Sequence, residues 1–321
     1  MRKIDSNRDF VYDHPRNGGF SEKLFSLASD IGALFYKIRM NLIRVNVEEK
    51  KYNVAVCAIF KNEAPYLKEW IEYNHLVGIE HFYMYNNNSE DDYEGILNPY
   101  IEKGLVTLVQ WPHNQAQMQC YKNCIEKYSQ ETKWLGFIDI DEFIVPKDKD
   151  NIYDILKNFE KNRGSVKLYW RMYGTSARLN RNLNGLVTED FTVCWDKYYE
   201  VGKCFYNTAF SFDYETKKND GLHHYFWANY KGMNLPPVNV FDRVCFGLHN
   251  SIPNRKMPVQ LNHYFTKSVE EYAMKKSKGD VYFVENPHDE EYFYHHEMYC
   301  TSTDYSAYKY LVKLKLLVKK D

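Results

Sequence analysis

The chain has 321 residues, with 42 Lys and Arg against 43 Asp and Glu and a hydrophobic share of 44%, enough to bury a sizeable core in one large domain or two. A formal net charge of −1 gives no field that would steer it to nucleic acid, so nucleic-acid partners are not expected. Seven cysteines, odd in number, scattered and without a C-x-x-C, fit a reducing compartment better than a disulfide framework.

Residues 1–19 are polar, with Pro15, Gly18 and Gly19, and are expected to be poorly ordered. From Phe20 to Val45 a helical stripe gathers Leu24, Leu27, Ala28, Ile31, Leu34, Phe35, Ile38 and Leu42, with Lys23, Lys37, Arg39 and Arg44 among its cations. Such a stripe packs on the protein's own body, the commoner outcome, or lies on an anionic membrane surface. No run of eighteen apolar residues and no signal peptide is seen. The expectation is a cytoplasmic protein, with peripheral contact to the inner membrane surface left open.

Val54–Phe60 is apolar on both faces and reads as a buried strand. Asn62 can cap a helix that enters through Pro65 and ends at Gly78. His81–Tyr85 is a second strand, followed by the polar turn Asn86-Asn87-Asn88-Ser89, a helix through Tyr93, Ile96, Leu97 and Ile101, and Gly104 as its stop. Leu105–Val109 is a third strand and 115–128 a helix, on which Cys120 and Cys124 share a face. With no further His or Cys pair beside them, these two read as buried structural thiols.

Trp134 to Pro146 reads W-L-G-F-I-D-I-D-E-F-I-V-P, an apolar run with the character of a central strand buried on both faces. Carboxylates are seldom buried unpaired, so the strand is expected to end near Asp139, with Asp139, Asp141 and Glu142 emerging at its C-terminal edge. At a spacing of two, Asp139 and Asp141 would share one side of an extended chain and offer hard oxygen ligands to Mg2+ or Mn2+, with Glu142 as a supporting acid. An acidic strand end that caps a turn is the alternative, and D-x-D alone does not choose between them.

A helix over 152–162 and a strand at Val166–Trp170 complete four alternations of strand and helix. The pattern calls for a mostly parallel sheet with right-handed crossovers and helices on both faces. Topology then gathers Lys61-Asn62-Glu63, Asn86–Asp92, Trp111-Pro112-His113 and Asp139–Glu142 into one cleft at one sheet edge. There is no G-x-G-x-x-G and no G-K-[ST], hence no dinucleotide fingerprint and no P-loop. Beyond Met172 the chain is less regular and is expected to be irregular cover forming the acceptor side of the cleft. There, Leu261-Asn262-His263-Tyr264-Phe265-Thr266-Lys267-Ser268-Val269-Glu270-Glu271 contains a capping box, Ser268 with Glu271, that starts a helix running to Lys278 and stopping at Gly279. His263 can complete a two-carboxylate metal site and Lys267 can meet a diphosphate; a locally satisfied His and a solvated Lys are the plainer alternative. The last stretch, Tyr308–Lys320, repeats the mixture of Leu311, Leu314 and Val318 with lysines.

Three stretches, read together, resemble glycosyltransferase family 92, once a domain of unknown function. They are Ile59–Glu63 with Leu67–His75, then Trp134–Phe143 for the family's W-x-x-F-I-D-x-D-E-F, then His263-Tyr264 with Lys267-Ser268 for its H-Y-x-x-K-S. The match runs over roughly residues 53 to 280. The family usually has Arg where this chain has Lys61 and Asp where it has Asn86; neither change removes a metal ligand.

The resemblance implies an α/β fold of GT-A type, Rossmann-like, in three segments: an N-terminal extension 1–50 with the amphipathic helix, a glycosyltransferase domain 51–280, and a C-terminal extension 281–321 packing on the domain or a membrane. It implies transfer of a hexose, galactose in relatives, from a UDP-sugar to a hydroxyl of a glycan or lipid-linked glycan, with inversion. Asp139, Asp141 and His263 would bind Mn2+ (or Mg2+), and Lys267 and Lys203 would neutralise the leaving UDP. Asn62, Glu63, Asn87 and Ser89 would hold the uridine. Glu189 or Asp190 would be the base, with Asp196 and Asp213 as rivals, and His223-His224 resembles a family histidine near the acceptor. A non-catalytic sugar- or partner-binding module on the same fold is the alternative. A nucleotidyltransferase would need a glycine- and basic-rich loop after the first strand, which Lys61-Asn62-Glu63-Ala64 does not supply.

Overall fold

The computed structural model describes residues 10–11, 19–114, 116–249, 252, 256–277 and 289–319. Its elements in chain order are β1 (Phe10–Val11), α1 (Phe20–Leu42), β2 (Tyr52–Phe60), α2 (Ala64–Leu76), β3 (His81–Asn86), α3 (Tyr93–Glu102), β4 (Val106–Gln110), α4 (Gln117–Tyr128), β5 (Thr132–Phe137) and β6 (Glu142–Pro146). There follow α5 (Tyr153–Leu156), β7 (Ser165–Met172), α6 (Val187–Asp190), β8 (Val193–Cys194), β9 (Tyr198–Asn207), β10 (Ser211–Phe212), β11 (Ala228–Tyr230), β12 (Met233–Leu235), β13 (Val238–Asn239), β14 (Val259–His263), α7 (Val269–Ser277), α8 (Glu290–Met298), β15 (Ser302–Thr303) and α9 (Tyr308–Val318).

The main sheet has ten strands, eight of them in the order β4-β3-β2-β5-β9-β7-β14-β6, with β1 beside β9 and β13 beside β7. Strands β4, β3, β2 and β5 are parallel, while β9 runs antiparallel to both β5 and β7. The result is the expected α/β architecture, mixed but mostly parallel. Neighbouring side chains on a strand point to opposite faces. Phe82 meets Trp70 of α2, with ring centroids 5.4 Å apart, and the next residue, Tyr83, stacks on Tyr128 of α4 at 4.2 Å. Helices α2 and α4 therefore cover opposite faces. Gly78 (φ +102°) ends α2 in a backbone conformation that a side chain resists. All seven cysteines are free thiols.

Several expectations need correction. The stretch 134–146 is two strands: β5 ends at Phe137, the chain turns through 138–141, and β6 departs to the far edge of the sheet beside β14. The turn closes where Glu142 N–H donates to the Asp139 carbonyl at 3.0 Å. The chain beyond Met172 is more than cover, because β9, β13 and β14 belong to the main sheet and β9 lies between β5 and β7. The apolar stripe of α1 faces outward: Leu24, Leu27, Ile31, Leu34 and Ile38 are exposed, while Ser29, Ala33 and Met40 are buried against the body. The small residues let that side approach closely, as at Gly32, where an added Cβ would sit 2.3 Å from the Phe246 ring.

The helix expected over 152–162 is reduced to α5 and one 3-10 turn, Lys157–Phe159. At the other end, α9 packs on α2, with Tyr310 against Tyr73 at 5.6 Å and Leu314 buried. The expectation for residues 1–19 falls outside the described residues except at Phe10, Val11 and Gly19, and so does the predicted stop at Gly279.

Candidate active site

From β2 the chain steps outward to β3 and β4, then returns to place β5 on the other side of β2. Ligand crevices form where strand order reverses in this way, outside the carboxyl ends of the strands. Phe60 and Phe137 end those two strands. The acid turn follows directly.

Trp70 fixes the turn from below: its indole N–H lies 2.9 Å from both the Asp139 and the Glu142 carbonyls. Glu142, expected to emerge, is instead fully buried. Its carboxylate accepts from Trp170 Nε1 at 2.8 Å and from Asp139 N–H at 3.0 Å. Burial pushes the Glu142 carboxyl well above the usual range; Lys203 opposes the shift, and Asp139 and Asp141 add to it. Glu142 is thus a support beneath the turn.

Asp139 and Asp141 each hold a different lysine. Lys203 Nζ, from β9 and 1% exposed, donates to Asp139 Oδ2 at 2.7 Å. Tyr121 and Gln117 approach the other oxygen at 3.3 and 3.4 Å. Lys275 of α7 donates to Asp141 Oδ2 at 2.6 Å, and His263 Nε2 lies 3.5 Å from Oδ1. Burial alone would raise the Asp141 carboxyl, yet Lys275, His263 and Lys267 hold it well below the usual range. His263 ends β14 directly across from Glu142. Its ring packs 4.5 Å from that of Trp170, and burial lowers its pKa.

Two carboxylates and an imidazole are a donor set suited to Mn2+ or Mg2+, and His263 Nδ1 is buried with no hydrogen-bond partner. The chemistry of these residues fits a divalent cation. Their ligand atoms are not drawn together as a closed site, because the two ammonium groups sit on the acid oxygens. Among the described residues, the trio with ligand atoms all within 4.8 Å is His296, Glu297 and Cys300. There the Glu297 carboxylate already accepts from Thr175 N–H and Oγ1 at 2.9 and 2.8 Å, a structural tie.

The loops after β2, β3 and β4 knit into one rim. Asn62 (φ +54°) donates its N–H to Ser89 Oγ at 2.9 Å, and its side-chain oxygen accepts from Glu90 N–H at 2.7 Å. It does not cap α2, contrary to expectation: Asp91 reaches back from the next loop to accept from Ala64 N–H at 2.8 Å. The buried Asn87 amide donates to the Trp111 and His113 carbonyls at 2.8 and 2.7 Å. Glu63 stands at the N-cap of α2 and its charge reaches Lys275. The predicted capping box forms, Ser268 N–H to Glu271 Oε2 at 3.0 Å and Glu271 N–H to Ser268 Oγ at 3.2 Å. Just before it, Lys267 (φ +49°) holds its ammonium 4.2 Å from the Tyr66 ring centre.

The predicted bases are not brought to the acids. Glu189 pairs with Lys315 of α9. Asp190 pairs with Arg178 at 2.7 Å and accepts from Asn182 at 2.8 Å. Among their described contacts none reaches Asp139 or Asp141. Asp196 is exposed, and Asp213 accepts from Glu215 N–H in its own loop and from Asn234 of β12. His223 and His224 do lie nearby, their rings 3.8 Å apart and that of His224 5.1 Å from Trp170. Lys275 was missed by sequence reasoning. Its one signal is its place four residues after Glu271, on the helix face of the capping box.

The family model described as "Glycosyltransferase family 92" matches residues 50–277. A family 92 protein of Oryza sativa subsp. japonica is 32% identical over 142 residues, covering 43% of this chain and 24% of that protein. A galactan beta-1,4-galactosyltransferase of Arabidopsis thaliana is 29% identical over 140 residues, 39% of this chain and 27% of the relative. A beta-1,4-galactosyltransferase of Caenorhabditis elegans is 32% identical over 127 residues, 35% and 29%. The chain thus spans under a third of the length of these relatives. Crystalline TarS 1-349 of S. aureus superposes with a TM-score of 0.37 and 13% identity over 68% of this chain and 63% of that one, too weak a likeness to argue from. The family match takes in well over half of the chain, from the first loop through the acid turn to Lys275, and the chain belongs to glycosyltransferase family 92.

Proposed function

We propose that the protein moves galactose from a UDP-sugar to a hydroxyl of a glycan acceptor, with inversion at the anomeric carbon and with Mn2+ (or Mg2+) as cofactor. The observation that carries this reading is the meeting of Asp139, Asp141 and His263 with Lys203, Lys267 and Lys275 at the switch point of the sheet. Acids alone would repel a diphosphate, and lysines alone would not hold a divalent cation. Together they suit the pair.

Asp139, Asp141 and His263 would hold the metal, which when bound supplies positive charge to the leaving phosphate. For this, Lys203 and Lys275 release the two carboxylates, and their ammonium groups, with that of Lys267, are then free to face the diphosphate. Asn62, Glu63, Asn87 and Ser89 would line the uridine end. Glu189 or Asp190 remains the proposed base for the acceptor hydroxyl, on condition that acceptor binding frees it from Lys315 or Arg178. Galactose is supported by the names of the Arabidopsis and Caenorhabditis relatives; a β linkage made from an α-linked nucleotide sugar requires inversion. A lipid-linked glycan acceptor and a cytoplasmic place of action complete the reading.

Incubation with UDP-galactose and Mn2+ tests it: release of UDP is expected, and Asp141→Asn should abolish it. Full activity in that variant refutes the metal assignment. The lysine seated on each acid favours one second reading, a sugar- or partner-binding module without catalysis. Calorimetry that finds no UDP binding with Mn2+ present would select it.

A further inference from the structure

We propose that α1 is a membrane-surface helix, which lies in the interface of an anionic phospholipid bilayer with its outward stripe in the acyl boundary. The inference is independent of the proposed reaction. A 23-residue helix is about 34 Å long, and an apolar band along its whole length turns away from the body. Leu24, Leu27, Ile31, Leu34, Phe35 and Ile38 all project into solvent, with Ile31 62% exposed. Soluble proteins seldom leave such a contiguous band uncovered.

The opposite side of α1 already has its partners. Ser29, Ala33 and Met40 are buried, Tyr36 packs 5.2 Å from Phe246, and Arg163 donates to Asn41 Oδ1 at 2.7 Å. The helix is therefore held on the body by a face of its own, Ser29, Ala33, Tyr36 and Met40, and the apolar stripe is presented outward by the fold itself. A solvent-facing helix would normally be laid down the other way round.

A second copy is the competing occupant, and the charges disfavour it. Leu24, Leu27, Ile31, Leu34 and Ile38 follow the alternating three- and four-residue spacing of a coiled-coil seam. One flank, where a self-pairing coil would carry charge, holds Ala28, Phe35 and Leu42. On the other flank, Asp30 is paired with His249 at 2.6 Å and Lys37 with Asp242 of the same body. No complementary ladder is left to specify a partner helix. The band is broader than a seam and carries exposed cations at Lys23, Arg39 and Arg44. A wide aliphatic and aromatic band with basic margins is the pattern that lies on anionic lipid. Among the described residues no helix is long and apolar enough to cross a membrane, so the geometry is that of a helix lying flat.

Co-sedimentation of the full chain with vesicles of mixed phosphatidylglycerol and phosphatidylcholine, against pure phosphatidylcholine, tests the proposal. Binding is expected to the anionic vesicles and to weaken with salt. Ile31→Glu, at an exposed position where the melting temperature is expected to stay that of the wild type, should lower binding at least about tenfold, and Lys23→Glu with Arg39→Glu should remove the preference for anionic lipid. The proposal is overturned if the wild type does not sediment with vesicles, or if Ile31→Glu sediments equally well. It is equally overturned if light scattering finds a dimer that Ile31→Glu splits while neither protein binds lipid.

Discussion

Replacing Lys203 with methionine isolates the charge at the centre of the acid turn. The ammonium is 1% exposed, 2.7 Å from Asp139 and 3.7 Å from Glu142. At an effective dielectric of about 20, the nearer pair attracts by about 6 kcal/mol, and loss of the ammonium's desolvation penalty offsets part of this. Breaking a buried pair by removing one partner costs about 3 to 5 kcal/mol, because the surviving charge is left uncompensated. Asp139 is 32% exposed, so water can take up some of the loss and the expected cost is about 3 kcal/mol. For a chain of this length that is a fall of about 4 °C in melting temperature by scanning calorimetry. Adding Asp139→Asn removes the orphaned charge, and the double variant should recover at least about 1 kcal/mol relative to the single one. A single variant that melts within about 1 °C of wild type, or a double variant that melts below it, would refute the reasoning.

Gly202 precedes Lys203 where β9 pairs with β7, and a Cβ there would lie 1.9 Å from the Leu168 carbonyl oxygen. Gly202→Ala should cost about 3 kcal/mol or more and displace Lys203; a variant with unchanged melting temperature contradicts the packing. His81 sits between the Gly104 carbonyl and Thr107 Oγ1, and burial pulls its pKa down to about 4. A base with a depressed folded-state pKa leaves the unfolded chain to take the proton first. Stability is thus complete above about pH 6.5 and is lost as pH falls toward about 4, by about 2 kcal/mol at pH 5. Denaturation at about pH 7.5 and about pH 5 should show a smaller acid loss in His81→Asn, and a wild-type to variant difference independent of pH would count against this account.

What was legible in the sequence was local. The apolar runs at 54–60, 81–85 and 105–109, the stops at Gly78 and Gly104 and the box at Ser268 and Glu271 all depend on neighbours within a few residues, and all form. The gathering of the acid turn with His263 and Lys267 was also legible, through strand order and the family pattern. Long-range choices were not. Nothing local distinguishes Lys275 from a solvated helix lysine until β14 brings α7 beside Asp141. Asp91 displaces Asn62 as the cap of α2 because two loops 27 residues apart meet, and Glu189 is turned away by Lys315, 126 residues later. The stripe of α1 was read correctly as a stripe, but its direction depends on Ser29, Gly32 and Ala33 fitting the body more closely than leucine would.

The bond from Trp70 to both ends of the acid turn limits what can be exchanged between proteins. The turn's two carbonyls are satisfied by one indole on α2, and α2 is in turn opened by the loop motif and capped from the next loop. A graft of the acidic turn alone onto another sheet would leave those carbonyls without their donor. The smallest transplantable piece is the turn together with the helix beneath it, because the donor that satisfies both carbonyls lies on α2.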